Sequence, residues 1–248
     1  MGKNAGRYLY CIVAEAKGRT YGAFGINGSD VYSVSDGKMA ALVSDVPNQK
    51  IRPERRNIAA HQEVLKRLMA QGTVLPMSFG VIADSSDGIL KILSLNQGVF
   101  LAQLKRVENK VEMGLRVSLD APNLFDYFVQ THPEMRSERD RVFGVNREPS
   151  QGEKIELGQM FARILEEDRL FFTGMVEEIL NPLCFEIKRN PPHNEHQIMN
   201  LACLIAKNAQ SDFEAGVFKA AGLFDDNFAF DYNGPWAPHN FVEIDLKV

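Results

Sequence analysis

The chain has 248 residues, 45% hydrophobic and 24% charged, an ordinary globular composition and enough length for two domains with cores of their own. A formal net charge of −4 lacks the concentrated basic character of a nucleic-acid binder, and no apolar run approaches the ~20 residues of a membrane span. Cys11, Cys184 and Cys203 cannot all pair and sit in apolar runs, so buried free thiols in a reducing, cytoplasmic setting are expected.

Tyr8–Val13 is apolar on both alternating faces, as a central strand should be, and reads as a strand in preference to a leader peptide. Val31–Val34 and Met39–Val43 flank Asp36-Gly37, a two-residue hairpin signal. Arg52–Gln71 is predicted helical, with Pro53 in its first turn, Gly72 at its end, and Ile58, His61, Leu65, Leu68 and Met69 on one face. Leu75–Gly80 is too apolar for a free loop. It is expected either buried between the two halves with His61 packed nearby, or as a core strand of the first; Pro76 and Phe79 are its candidate residues. Helices are predicted near 84–95 and 97–107.

Val111, Met113, Leu115, Val117 and Leu119 alternate with their neighbours and predict a half-buried strand. Asn123–His132 looks helical, and Glu134–Gln151, charged and poor in apolar residues, reads as a flexible or inserted segment. Gly152–Leu180 is a long helix with Leu157, Phe161, Ile164, Phe171, Met175 and Ile179 as its expected stripe, ended by Asn181-Pro182. Strands are predicted at 183–188, 197–206 and 227–232, with a helix at 212–223.

From Lys110 on, the order is strand, helix, strand, strand, helix, strand. The predicted fold is therefore α+β with two domains: residues 1–108 form an N-terminal α+β domain, and residues 109–232 form a ferredoxin-like βαββαβ domain carrying an insertion. Residues 233–248 follow as a C-terminal tail, expected to be docked.

No catalytic constellation emerges. Gly22–Gly28 has loosely spaced glycines but precedes a strand, so it reads as a mobile hairpin loop and not as a dinucleotide fingerprint. His193 and His196 with Cys184 and Cys203 lack the short spacing of a structural zinc site, and Glu166, Glu167 and Asp168 read as a solvated face, with Asp168 near enough to the stripe to meet a cation. Neither metal nor cofactor is expected. The βαββαβ order alone would also admit a small-molecule-binding protein or an enzyme of unknown substrate.

The end of the chain reads DYNGPWAPHNFVEI, with the sole tryptophan between two prolines. Tyr232 is predicted to end the last strand and Gly234-Pro235 to turn the chain, leaving Trp236 and Phe241 on a stiff ribbon that loses little entropy on docking. GPWAPHNFV resembles the closing motif of the gas vesicle protein F/L family, departing from it at Ala237 and His239. YLYCIV, DGKMAALVSDV, His61 with Val64-Leu65, VLPMSFGVI, VEMGLRV and NLACLIAK resemble further blocks of that family in the right order, most like its F branch. The resemblance implies a minor, non-enzymatic gas vesicle component that binds the hydrophobic major shell protein, with other accessory proteins as possible partners, and supports nucleation; it implies no catalytic residue. Candidate structural or partner-binding residues are Trp236, Pro235, Phe241, Tyr232, His61, Pro76 and Phe79. Two roles are open for the tail: a clasp docked on the N-terminal half, or an anchor for the shell protein.

Overall fold

Five successive residues of β1 (Ala5–Ala14), Tyr8 to Ile12, have no exposed surface, which explains their lack of polar alternation. The chain continues through β2 (Thr20–Ala23), β3 (Asp30–Ser35), β4 (Met39–Pro47), α1 (Arg55–Gln71), β5 (Leu75–Pro76), β6 (Ile82–Ala83), α2 (Ser86–Leu95) and α3 (Gln97–Arg106). The structure, a computed structural model, describes residues 5–14, 18–144 and 148–247. The strands form a sheet in the order β2-β3-β4-β1-β5, with β6 also on β1. β1 runs antiparallel to β4 on one side and to β5 and β6 on the other. The turn between β3 and β4 is longer than the two residues expected, because pairing starts at Ser35 with Ala40. Asp36 closes it by accepting from the amides of Lys38 and Met39.

α1 packs through Asn57, His61, Val64, Leu65, Leu68 and Met69, whereas Ile58, in the first turn at the edge of that stripe, stays 42% exposed. α2 is N-capped by Ser85, whose hydroxyl accepts from the amide of Gly88 at 3.1 Å. Ile89, Ile92 and Leu93 of α2 and Phe100 and Leu104 of α3 join Leu9, Ile12, Met39, Ala41, Val43, Leu75 and Met77 in one core.

The loop expected to be mobile, Gly22–Gly28, is pinned instead. Ile26 is fully buried, its amide donates to the Tyr10 hydroxyl at 2.8 Å, and that hydroxyl donates to Ser44 Oγ at 3.0 Å. A Cβ on Gly25 would overlap both hydroxyls, so only glycine fits there.

Beyond Asn109 come β7 (Lys110–Leu119), α4 (Leu124–Thr131), α5 (Pro133–Val142), α6 (Gln151–Leu180), β8 (Glu186–Arg189), β9 (Gln197–Ala206), α7 (Gln210–Ala221) and β10 (Phe228–Trp236). A second sheet has the order β10-β7-β9-β8. By compactness the chain forms two units: residues 1–113 with 204–207 and 234–248, and residues 114–203 with 208–233. The fold is mixed α+β, and no helix among the described residues is long and apolar enough to cross a membrane.

The segment expected to be flexible is mostly helix α5. Met135 and Val142, seven residues apart on one face, are fully buried, and Arg141 pairs with Glu138 on the polar side, so two apolar anchors suffice where composition suggested none. Residues 145–147 of that segment lie outside the described residues. α6 starts at a capping box formed by Ser150 and Glu153. Its buried stripe is Leu157, Ile164, Leu165, Thr173, Val176 and Leu180, so the expected stripe is rotated by about one residue in its second half, and Phe171 is 64% exposed. Residues 181–183 form a single 3-10 turn before the shorter strand β8.

Two glycine substitutions separate close approach from plain helix entropy. Gly25→Ala should destabilise the protein by about 1–3 kcal/mol through overpacking. Gly158→Ala, on an exposed position of α6 with open space around a built Cβ, should stabilise it by about 0.5–1 kcal/mol. Thermal and urea unfolding of the two variants checks the opposite signs.

Candidate functional site

Several residues singled out from sequence meet in the first unit, around one buried hydroxyl. Tyr8 Oη lies 2.9 Å from His61 Nδ1 and accepts from the amide of Gly80 at 3.1 Å. His61 is 2% exposed, and Phe79, half-buried, stacks edge-on against both His61 at 5.8 Å and Tyr8 at 5.9 Å between ring centroids. Pro76 is buried in β5 opposite Cys11. The His239 ring, from the tail, lies 6.3 Å from that of His61, and neither Nε2 has a partner in hydrogen-bonding geometry. Burial, reinforced by His239, pushes His61 down to about 4, against a small opposing effect of the Met77 backbone; burial also lowers His239. With both pKa values lowered, the two histidines are neutral at pH 7 and pack among the aromatic rings of the first unit.

The tail departs from expectation in two respects. β10 does not stop at Tyr232 but runs through Gly234-Pro235 to Trp236. Gly234, at φ +130°, lets the backbone lie against Met113 and the Glu112 carbonyl, where a Cβ would come within 2.9 Å of that oxygen. Trp236 is 41% exposed and Pro235 half-buried, so the expected burial of the tryptophan is supplied instead by Ala237, Pro238 and Phe241, the last with no exposed surface. Glu112, 7% exposed, accepts from the amide of Asn240 at 2.9 Å and from its Nδ2 at 2.6 Å. Val242, Ile244 and Leu246 then pack on the core of the first unit. The sequence alone did not single out Glu112 or Asn240; the one available signal was a carboxylate set in the apolar run of β7.

The remaining polar candidates lie outside this cluster. Asp168 meets His132 at 3.4 Å instead of an arginine or lysine, and burial raises its carboxyl despite that histidine. Glu166 and Glu167 pair with Arg169 and Arg163 on the helix surface. His196 Nδ1 faces the Leu119 carbonyl at 3.1 Å, Cys184 hydrogen-bonds to Cys203 with no disulfide between them, and no group of three metal-binding side chains occurs among the described residues. A half-open cleft of about 650 Å³ is lined by Val13, Arg19, Tyr21, Leu68, Leu101 and Lys105 among others.

A feature of the second unit was also missed. Phe172 of α6, Phe224, and Phe228 and Phe230 of β10 form a half-buried cluster with ring centroids 5.0–5.2 Å apart, extended outward by Phe171 at 5.5 Å from Phe172. Beside it Phe218, 63% exposed, stands 6.3 Å from Tyr232, whose hydroxyl donates to Glu214. Phe228, Phe230 and Tyr232 alternate as a core-facing strand should, but β10 is an edge strand and its apolar face is incompletely covered.

The depressed histidine has a pH signature. Its folded value lies below the ordinary 6.5, so the stabilisation it confers is present above about pH 6.5 and is lost as pH falls toward 4. Between pH 7 and pH 5 the protein should lose about 2 kcal/mol more than the His61→Gln variant does. Urea unfolding at the two pH values measures the difference.

The pattern defining the family "Gas vesicle synthesis protein GvpL/GvpF" matches residues 6–243. Gas vesicle protein F of a Streptomyces species is 30% identical over 224 residues, covering 90% of this chain and 92% of its own. Gas vesicle protein F of Dolichospermum flosaquae is 27% identical over 241 residues, covering 96% and 98%. The crystal structure of gas vesicle protein GvpF from an Anabaena species superposes with a TM-score of 0.84 at 26% identity, over 97% of this chain and 99% of that one. With the family pattern matched over residues 6–243 and 90% of the chain covered by a relative 30% identical to it, the chain belongs to the GvpL/GvpF family of gas vesicle synthesis proteins.

Proposed function

We propose that this chain is a non-enzymatic accessory component of gas vesicles that binds the hydrophobic major shell protein and supports nucleation and assembly at the vesicle. Other gas vesicle accessory proteins are its further partners in this reading. The observation that carries it is the match of the family pattern from residue 6 to residue 243, with relatives of nearly equal length called gas vesicle protein F. The physical need is direct: a shell subunit with a strongly apolar face self-associates in water unless another surface covers it or orders its assembly.

The division into residues 1–108, 109–232 and 233–248 serves as the assignment of roles, although compactness groups Leu204–Lys207 and Gly234–Val248 with the first unit. The order β10-β7-β9-β8, with α6 and α7 as crossovers and α4 and α5 inserted, supports reading the middle part as ferredoxin-like. Its outward aromatic cluster is the surface we assign to the shell protein. The tail divides its labour in this reading: Phe241 holds it down, and the part-exposed Trp236 contributes to binding.

Two measurements test this. Phe171→Ser with Phe228→Ser should weaken capture of the shell protein by about 30-fold, the scale of a binding hot spot. Phe241→Ala should cost about 3–5 kcal/mol of stability, while Trp236→Ala should reduce capture with a smaller loss of stability. Intact vesicles that lack this chain, combined with no binding of the shell subunit in solution, would overturn the assignment.

A further inference from the structure

We propose that the α2–α3 face of the first unit is a peptide groove that the chain's own residues Val242–Lys247 fill in cis. Its exchange partner is an extended segment of another protein with aliphatic side chains at alternate positions. This reading rests on the contacts described next and not on the shell-protein assignment.

The tail presents its sequence with period two. Val242, Ile244 and Leu246 pack on the core that includes Ile89, Ile92, Leu93, Phe100 and Leu104, while Glu243, Asp245 and Lys247 are exposed. No strand pairs with these residues. Their backbone is held by side-chain amides instead. Asn96, 2% exposed between α2 and α3, donates from Nδ2 to the Lys247 carbonyl at 2.9 Å and accepts on Oδ1 from the Lys247 amide at 3.0 Å. The same Nδ2 is anchored to the Ile92 carbonyl at 2.8 Å. One helical turn pair onward, Gln103 Nε2 reaches the Glu243 carbonyl at 3.4 Å.

The two clamps define a direction and a conformation. Lys247 lies at the start of α3 and Glu243 near Gln103, so the tail runs antiparallel to the helix. Four extended residues span ~13 Å and seven helical residues ~10 Å, so the two lengths agree. Asn96 and Gln103 read only backbone groups, which every peptide carries, and the apolar face reads alternate side chains. That is the division of labour in peptide recognition by extended segments: main-chain bonds give grip and alternate side chains give choice.

The cis occupant also fits imperfectly. The Gln103 bond lies at the long limit of hydrogen bonding, and Gln103 Oε1 is buried without a partner. An incoming segment that offers an N–H to Oε1 gains what the tail does not supply. Because the tail is tethered, it competes at high effective concentration, so exchange favours a partner presented in many copies.

The test uses the full chain and a labelled peptide of sequence VEIDLK. Ile244→Asp with Leu246→Asp should release the tail and leave the groove intact. Fluorescence anisotropy should then show the peptide binding this variant at least tenfold more tightly than it binds the unaltered protein, and a scrambled peptide should not bind. Adding Asn96→Ala should return binding to the unaltered level. Equal, weak peptide binding by both proteins with an unchanged circular dichroism spectrum overturns the proposal, as does binding that ignores Asn96→Ala. Hydrogen exchange on the unaltered chain gives a second readout that needs no variant. The Lys247 amide should exchange at least a hundredfold faster than the amides of β1; exchange only in step with β1 means the tail opens only on global unfolding and sinks the idea.

Discussion

The Tyr8 hydroxyl sits in the middle of β1 with no access to water, and a buried phenol left unpaired costs about 1–3 kcal/mol. Its two partners, His61 and the Gly80 amide, come from α1 and from the loop after β5, so satisfying one oxygen positions two distant parts of the chain. Tyr10, two residues on, imposes the same demand and meets it with Ile26 and Ser44. The glycine-containing loop Gly22–Gly28 is therefore ordered by a strand it follows in sequence, and Gly25 is glycine because the two hydroxyls occupy the space of its missing side chain.

The same cluster reaches the end of the chain. His239 lies beside His61, and the next residues bring Asn240 to the Glu112 carboxylate and Phe241 into full burial. A carboxylate this deep is tolerated because two N–H donors from one residue face it, and each such charge-assisted bond is stronger than a neutral one. The first unit thus completes its core with residues more than a hundred positions away from the strands they cover. Its histidines stay neutral because burial disfavours the charged imidazolium, and neutrality makes the packing sensitive to acid.

The second unit has the opposite character. Its aromatic residues cluster against one another but remain partly in water, and α6 leaves Leu170 and Phe171 outside. Aromatic side chains contribute large contact areas with few rotatable bonds, so such a surface loses little entropy when a partner covers it. In the proposed function the two units divide the work, one closing on itself and the other keeping apolar surface available.

Much was legible from local pattern. The doubly apolar run of β1, the alternation of β7, the helices α1 to α3 and the long α6 follow from side-chain periodicity and from capping and breaking residues, which act within a few positions. The family followed from short motifs in order along the whole chain. Tertiary structure alone decided which apolar residues are buried, because burial depends on what lies opposite. Phe228 and Phe230 have the alternation of a core strand but sit on a sheet edge; Phe171 falls off the stripe of α6 once the helix is turned to face its neighbours. α5 forms on two buried anchors that composition hides. In the tail the sequence by itself determined that a rigid aromatic segment would be present, since glycine and proline restrict it locally. Only the folded chain decided that Phe241 and not Trp236 is fully buried, because Glu112 binds Asn240, four residues beyond the tryptophan, and turns the neighbouring ring inward.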